Sequence, residues 1–349
     1  MPTAASSLRI PLTTDLPPEL RCPRHPSERL HVRPHPTDKE IEHLECARRC
    51  RFPVIDEIAR FVDSEAYAAS FGRQWKMFAQ TQLDSYTNTS ISRDRLARCL
   101  GGSLDVVTAR SVLEAGCGAG RFTEILLAAG ARVFAVDISD AVVASHANFG
   151  GTPGYFVCQA DILELPVAPA SFDVVICVGV IQHTPSPERT IAALARQVAP
   201  GGLLVLDHYS VGHPLPPARR LARAALLKLR PKAAGRAALA VAKALLPFHR
   251  ALWGTNRFQR RLRRYIQTLS PVVDYYDAYP QLSREILTEW ALLDTHDTLT
   301  DRYKHLRSKD EIRRCLESLG LEHIEIDEAG NGIEARARKP RDIRESIEA

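Results

Sequence analysis

Hydrophobic and polar positions divide the middle of the chain into short alternating elements. Apolar runs predict strands at 111–115, 132–137, 155–159, 172–178 and 202–207. Between them, apolar residues recur at helical spacing and predict helices at 120–129, 139–148 and 187–198. Ser139 stands at the start of the second of these helices, where it can cap the helix, and Pro187 stands at the first position of the third, where proline is favoured. The alternation predicts an α/β, doubly wound, mostly parallel sheet with right-handed crossovers.

The last part of the chain predicts the far edge of the same sheet. The segment Ser308-Lys-Asp-Glu311 has the spacing of a capping box, so a helix is expected from there to near Gly320. Residues 321–327 and 332–338 then predict a terminal β-hairpin.

A glycine loop follows the first predicted strand. Residues 111–120 are Ser-Val-Leu-Glu-Ala-Gly-Cys-Gly-Ala-Gly, and the alternate glycines leave no Cβ to block a ligand at the strand end. The loop leads into a predicted helix N-terminus, which favours negative charge. Asp137 ends the second strand, where a doubly wound fold places an acid against ribose hydroxyls. The pattern predicts a site for an adenosine-containing cofactor.

Three later segments narrow the choice of cofactor. They are Gln159-Ala-Asp161, the run from Ser171 to His183, and Ala199-Pro-Gly-Gly202. In order and spacing, residues 111–207 resemble the class I S-adenosylmethionine-dependent methyltransferases. The resemblance implies a Rossmann-like sheet of seven strands with the last antiparallel, and S-adenosylmethionine as cofactor. An ordinary NAD-binding domain, or a fold without a ligand, is the alternative, although Arg121 replaces the third glycine of the dinucleotide fingerprint.

The resemblance also implies which residues bind the cofactor. They are Glu114, Gly116, Cys117 and Gly118 at the methionine end, Asp137 at the ribose, Ile138, Asp161 and Ile162 at the adenine, and Val178 and Gly179 beneath the sulfonium. Related methyltransferases have a Phe-Gly-x-Gln-Trp element before the first strand, so Trp75, with Gln74 and Gln82, is a candidate for a lid. Packing of these aromatic residues in a helical core is the alternative.

Cysteine and histidine cluster near the N-terminus. Cys22 and His25, then Cys46 and Cys50, form two pairs of ligands that could close a tetrahedral zinc site. Many class I methyltransferases carry a zinc-ribbon-like domain at this place, but here His25 replaces a cysteine and the second pair is spaced by three residues. A ribbon held by packing alone is the alternative.

A basic segment follows the fifth predicted strand. Between Asp207 and Asp274 there is no Asp or Glu but there are 14 Lys and Arg, although the whole chain is only +5. Residues 216–269 could lie on an anionic membrane surface near a lipid-linked acceptor, or could bind the phosphates of RNA or of another anionic substrate. A helical lid with solvated or paired arginines is the third hypothesis. RNA is disfavoured because the segment lacks an RNA-binding motif.

Histidines near the strand ends are candidates for a catalytic base. We rank His208 and His296 ahead of His183, since each could titrate near neutral pH. Several such bases and no cysteine stand near the expected acceptor pocket, which favours an oxygen acceptor. The sequence predicts O-methylation of a sugar, glycolipid precursor or specialised small molecule. The alternatives are an RNA methyltransferase and a non-catalytic cofactor-binding protein docked on a membrane or partner.

These elements suggest five parts along the chain. They are a loose arm at 1–20, a ribbon-like domain at 21–62, a helical lid and cofactor-binding core at 63–207, a basic helical insertion at 208–300, and the end of the core sheet at 301–349. No apolar run reaches 18 residues and no secretory signal is recognisable, so we expect a cytoplasmic protein with reduced or metal-bound cysteines, which is membrane-peripheral if residues 216–269 contact lipid.

Overall fold

The computed structural model describes residues 16–34, 42–62, 72, 74–75, 77–212, 214–254, 256–330 and 332–341. The strands are β1 (Arg21–Cys22), β2 (His25–Pro34), β3 (Glu42–Cys46), β4 (Arg51–Ile55), β5 (Ile58–Arg60), β6 (Ser111–Ala115), β7 (Arg132–Asp137), β8 (Tyr155–Gln159), β9 (Phe172–Cys177), β10 (Val198–Tyr209), β11 (Glu322–Ala329) and β12 (Gly332–Arg338). The helices are α1 (Asp84–Thr87), α2 (Ile91–Cys99), α3 (Thr123–Ala128), α4 (Ala141–Phe149), α5 (Pro187–Gln197), α6 (Pro217–Leu226), α7 (Pro231–Ala251), α8 (Arg257–Leu269), α9 (Arg284–Thr300) and α10 (Lys309–Ser318).

The predicted seven-stranded core is confirmed. Its strands lie in the order β8-β7-β6-β9-β10-β12-β11, and all neighbours are parallel except those of β12. Strand β10 is longer than predicted because it begins at Val198, which pairs with Phe172, and continues to Tyr209, which pairs with Gly332. The capping box at Ser308 and Glu311 starts α10 as expected.

Helices cover both faces of the five parallel strands β6 to β10, which explains why these strands are mainly apolar. Leu113, Phe134 and Val175 point into the core on one face. Their chain neighbours Val112 and Val133 point into the core on the other. Both faces of the parallel strands are therefore buried, and ligands have access at the carboxyl ends of these strands.

The N-terminal ribbon extends the core sheet from its edge. Strands β1 to β4 form an antiparallel meander, and β5 pairs antiparallel with β4 and parallel with β8, where Ala59 lies opposite Cys158. The twelve strands thus form one continuous sheet. Residues 1–15 of the predicted arm and residues 63–71, where the predicted helical lid begins, lie outside the described residues, and the five part boundaries stay predictions.

The basic segment is helical and covers the cavity side of the core. Helix α7 packs along α9. A small apolar core within the insertion includes Leu246, Trp253, Val272 and Trp290. Helix α9 also carries Asp294 and Asp297, which face the glycine loop across a cavity. Among the described residues, no helix is long and apolar enough to cross a membrane.

Candidate functional site

A cavity of about 630 Å³ opens at the carboxyl ends of β6, β7 and β9. The glycine loop and the strand ends form one wall, and α9 with residues 275–281 forms the opposite wall. The predicted cofactor residues that line it are Trp75, Gly116, Cys117, Gly118, Asp137, Ile138, Ile162, Val178 and Gly179. The structure thus brings together most of the predicted site.

The glycine loop needs glycine for two separate reasons. Gly116 and Gly120 have φ values of +80° and +93°, which favour glycine. A Cβ on Gly116 would also lie 2.3 Å from Val180, and one on Gly120 would lie 2.3 Å from Phe149. The loop can therefore turn tightly beneath a ligand only without side chains at these positions.

Asp137 is held in place by the loop that it faces. One carboxylate oxygen accepts a hydrogen bond from the Gly118 amide at 3.0 Å. The other accepts from the Ser139 amide and hydroxyl at 2.8 and 2.7 Å. Burial raises the pKa of Asp137 above its usual value, although these hydrogen bonds oppose the shift. Oδ2 accepts only the hydrogen bond from Gly118, so the carboxylate keeps acceptor capacity and fits a ribose hydroxyl.

The predicted lid residues line the cavity. Trp75 packs over the loop, where a Cβ on Gly118 would lie 3.1 Å from its indole ring. Gln74 and Gln82 also line the cavity. The Gln74 side chain lies 2.9 Å from His296 Nδ1, which fixes it against α9.

Two predicted cofactor residues do not line the cavity. Glu114 is buried beneath the loop, and its carboxyl accepts a hydrogen bond from the Thr123 hydroxyl at 2.5 Å. Burial raises the pKa of Glu114 to about 8. Asp161 instead caps a 3-10 turn by accepting from the Leu163 amide at 2.9 Å. Neither carboxyl borders the cavity in this structure, since the Thr123 hydroxyl holds one oxygen of Glu114 and the Leu163 amide holds one oxygen of Asp161. The expected contacts of Glu114 with the methionine end and of Asp161 with the adenine stay predictions.

Arg121 is a cavity residue whose role the sequence did not predict. Its guanidinium donates to the Ser92 hydroxyl at 2.9 Å and to Gln82 Oε1 at 3.2 Å. It also lies 5.3 Å from the Phe122 ring centroid and 5.6 Å from that of Trp290. Burial lowers the pKa of Arg121 to about 10, which leaves it charged at neutral pH. Among the described residues, no carboxylate forms an ion pair with it.

His183 lies on the cavity wall beside an ionised carboxylate. Its Nδ1 is 3.0 Å from an Asp301 oxygen and 3.2 Å from the Tyr303 carbonyl. Burial would raise the pKa of Asp301, but the hydrogen bond from His183 and the charges of Lys304 and Arg223 outweigh it and lower that pKa. Asp301 therefore orients the imidazole and would stabilise its positive charge.

His208 and His296, the first two candidates for a base, do not line the cavity. On β10, Tyr209 lines the cavity and Asp207 accepts from the Gly179 amide, so the alternating side chain of His208 points to the other face. Burial lowers the pKa of His208. His296 Nδ1 faces Gln74, and its Nε2 would lie 2.8 Å from a Cβ on Gly235 of α7. Both rings pack between elements.

Opposite the glycine loop, the cavity wall is aromatic and acidic. Tyr275, Tyr279 and Trp290 contact one another with ring centroids 5.1–5.6 Å apart. Burial raises the pKa of Asp294 to about 6 and also raises that of Asp297. This wall provides flat apolar surfaces and two carboxyl groups for a second ligand.

The part of the chain that forms this cavity floor is similar to known methyltransferases. Residues 113–206 match the family described as a methyltransferase domain. The chain is 35% identical over 101 residues to a ubiquinone biosynthesis O-methyltransferase of Idiomarina loihiensis, which is 28% of this chain and 42% of that protein. It is 39% identical over 100 residues to a probable S-adenosylmethionine-dependent methyltransferase of Mycobacterium tuberculosis, which is 29% of this chain and 36% of that protein.

The chain carries a class I methyltransferase domain. S-adenosylmethionine is the cofactor of this domain family. The chain spans about two fifths of the length of the curated relatives that it matches. Among solved structures, magnesium protoporphyrin IX methyltransferase from Synechocystis with bound S-adenosylmethionine has a TM-score of 0.40 at 14% identity. That match covers 80% of this chain and 95% of the other.

Beyond the methyltransferase domain, the structure brings the four predicted zinc ligands together. Their ligand atoms lie within 4.8 Å of one another. His25 Nδ1 is 3.8, 3.9 and 3.4 Å from the sulfurs of Cys22, Cys46 and Cys50. Ordinary Zn–S and Zn–N bonds in a tetrahedron would separate these atoms by about 3.6 Å. The donor set and its spacing fit a zinc ion.

Proposed function

We propose that this chain is an S-adenosylmethionine-dependent O-methyltransferase that acts on a hydroxyl-bearing small or lipid-linked acceptor. The observation that carries the proposal is the single cavity shared by the glycine loop and Asp137 on one wall and His183 on another. A cofactor and an acceptor hydroxyl held in this cavity would have the donor site and a candidate base within one enclosed space.

The cavity residues fit the cofactor chemically. Asp137 would hold the ribose hydroxyls, and Ile138 and Ile162 would contact the adenine. The cationic guanidinium of Arg121 would bind the carboxylate of the methionine portion. Burial raises the pKa of the Cys117 thiol well above its usual value, so this side chain of the loop stays uncharged.

The chemistry of transfer places few demands on the protein. When bound, S-adenosylmethionine supplies a methyl group that is already activated by the sulfonium. The chain must exclude water, hold the acceptor in line and accept a proton from it. We now assign the last role to His183, oriented by Asp301, because His208 and His296 lie outside the cavity wall.

Two further observations favour an oxygen acceptor of modest size. The only thiol that lines the cavity within the described residues is Cys117, which belongs to the loop, and the far wall offers Tyr275, Tyr279 and Trp290 as packing surfaces. The similar ubiquinone biosynthesis O-methyltransferases are named for oxygen methylation. A flat or apolar acceptor body would pack on this aromatic wall with its hydroxyl toward His183.

The proposal is tested with methyl-labelled S-adenosylmethionine and extracts separated into lipid, small-molecule and RNA fractions. We expect label in the lipid or small-molecule fraction, as a methyl ether identified by mass spectrometry, and a strongly reduced rate of labelling with the His183→Asn variant. Label confined to RNA would refute the proposal in favour of an RNA methyltransferase. Cofactor binding without product in any fraction would favour a non-catalytic protein.

We also propose that Cys22, His25, Cys46 and Cys50 bind a structural zinc ion. The site would tie β1 and β2 to the turn after β3 at the edge of the sheet. Metal analysis of the purified protein should give about one zinc per chain, and the Cys46→Ser variant should lose it. Full-length protein purified without metal, and unchanged in melting temperature by a chelator, would refute this site.

A further inference from the structure

The structure divides the 14 basic residues of segment 208–273 into two groups. Three turn inward: Arg219 donates to the Val272 carbonyl at 3.0 Å, Arg223 to Asp301 at 2.8 Å, and Arg263 pairs with Asp277. The other eleven are exposed: Arg220, Lys228, Arg230, Lys232, Arg236, Lys243, Arg250, Arg257, Arg260, Arg261 and Arg264. No ion pair is formed by these eleven among the described residues.

Helix α8 concentrates this exposed charge beside exposed apolar side chains. Phe258, Tyr265 and Leu269 are 73%, 63% and 61% exposed. Their spacing of seven and four residues places them on one stripe of the helix. The exposed Arg257, Arg260, Arg261 and Arg264 occupy the adjoining face. Leu262 and Ile266 lie on the other side of the stripe, where they are half-buried against the insertion.

Helices α6 and α7 also expose apolar side chains beside basic ones. Leu221 is 73% exposed next to Arg220, and the turn after α6 exposes Leu227 and Leu229 around Lys228. Phe248 is exposed near the end of α7. Since segment 208–273 contains no Asp or Glu, its outer surface carries only cationic and uncharged side chains.

We propose that the outer face of α6 and α8 docks on an anionic phospholipid surface. Helix α8 would lie in the headgroup plane, with the stripe of Phe258, Tyr265 and Leu269 inserted and the four arginines against lipid phosphates. A nucleic acid would satisfy the charges, but its phosphates would leave three large apolar side chains in water. A lipid surface satisfies both groups, since its interface is apolar below the charged layer.

Docking of this face would also bring the cavity of the proposed reaction close to the membrane. The docking helices belong to the insertion that roofs the cavity through α9 and residues 275–281. Docking would hold the acceptor entrance near a membrane, which suits a lipid-linked acceptor. The docking itself does not depend on the identity of the acceptor, so its failure and that of O-methylation are separate outcomes.

Flotation of the full-length protein with vesicles tests the proposal. We compare vesicles of phosphatidylcholine alone with vesicles containing about one third phosphatidylglycerol. We expect binding only to the anionic vesicles. Each arginine near the surface contributes about a fivefold increase in partition. Replacing Arg257, Arg260, Arg261 and Arg264 by Gln should therefore lower vesicle binding at least tenfold after allowance for salt screening.

Two further variants separate docking from simple charge. The pair Phe258→Gln and Leu269→Gln keeps every charge and should lower vesicle binding several-fold, while leaving retention on a polyuridylate column unchanged. A matched control removes four exposed arginines elsewhere, Arg93, Arg189, Arg313 and Arg314, and should bind vesicles like the parent protein. Cofactor affinity and the far-ultraviolet circular dichroism spectrum verify that each variant is folded.

Three results would overturn the proposal. The first is that the parent protein does not bind anionic vesicles. The second is that the matched control loses as much vesicle binding as the variant without the four arginines. The third is that the variant with Phe258→Gln and Leu269→Gln binds vesicles like the parent protein. Retention on RNA that exceeds vesicle binding in the same buffer would instead favour the nucleic-acid hypothesis.

Discussion

Replacement of Arg121 by glutamine tests the binding site for the cofactor's methionine portion. The guanidinium uses two N–H groups on Ser92 and Gln82 and has no carboxylate partner among the described residues. Arginine carries five N–H donors in a planar fork, so three remain for a ligand in the cavity. Packing between Phe122 and Trp290 holds the fork in place before the ligand arrives.

The size of the effect follows from this arrangement. A hydrogen bond to a charged group contributes about 1.5–3 kcal/mol. At about 1.4 kcal/mol for each tenfold change, removing the charged fork should weaken cofactor binding about 10- to 140-fold. Protein stability should change less, because loss of two hydrogen bonds is offset by removal of an enclosed charge that lies near Arg95.

Calorimetric titration with two ligands locates the contact. S-adenosylhomocysteine carries the amino acid portion, whereas 5′-methylthioadenosine has the same nucleoside without it. For Arg121→Gln we expect the Kd of the first ligand to rise by the stated factor and that of the second to change less than threefold. Arg93→Gln, which removes an exposed arginine of α2, is the control and should change neither Kd.

Equal weakening of both ligands would refute the reasoning, because the adenosine half alone should not contact Arg121. Unchanged binding of S-adenosylhomocysteine with a higher KM for the acceptor would also refute it, and would assign the guanidinium to an anionic acceptor.

Four further predictions address the rest of the chain. Burial raises the pKa of Glu114 to about 8, so the stability contributed by its protonated carboxyl is complete below the usual pKa near 4.5 and is lost as the pH rises to about 8. Between pH 5 and 8, Glu114→Gln should therefore gain a few kcal/mol of unfolding free energy relative to the parent, measured by urea unfolding. Parallel curves of unfolding free energy against pH would contradict this. His183→Asn should lower kcat about 10²- to 10⁴-fold with an unchanged cofactor Kd, and full activity in a steady-state assay would exclude it as base. Cys50→Ser should lose bound zinc and lower the melting temperature by several degrees, whereas retained metal would remove Cys50 from the ligand set. Gly120→Ala should cost about 2–4 kcal/mol of unfolding free energy because its Cβ would meet Phe149, and a loss below about 0.5 kcal/mol would contradict that contact.

Local pattern was sufficient for most of the fold. The strands from 111 to 209 follow buried apolar runs, and the cavity-facing Gly116, Gly118 and Asp137 follow from the loop that ends β6 and the acid that ends β7. These features depend on chain neighbours and on the fixed rule that ligands bind at the carboxyl ends of parallel strands. The zinc ligands were also recognisable by residue type, although only folding brings the two pairs within 4.8 Å.

The assignment of the catalytic base could not come from the sequence. His208 follows a strand end as His183 does, but the alternation of β10 turns it to the opposite face, while Asp301 reaches His183 from 118 residues further along the chain. The same holds for Glu114, which packing ties to Thr123, and for Arg121, whose neighbours Ser92 and Trp290 come from distant helices. Sequence spacing determined where strands end and which residue types stand there. Only the tertiary structure decided which of those side chains share one cavity, because that depends on long-range packing of α2, α9 and the loop after it against the sheet.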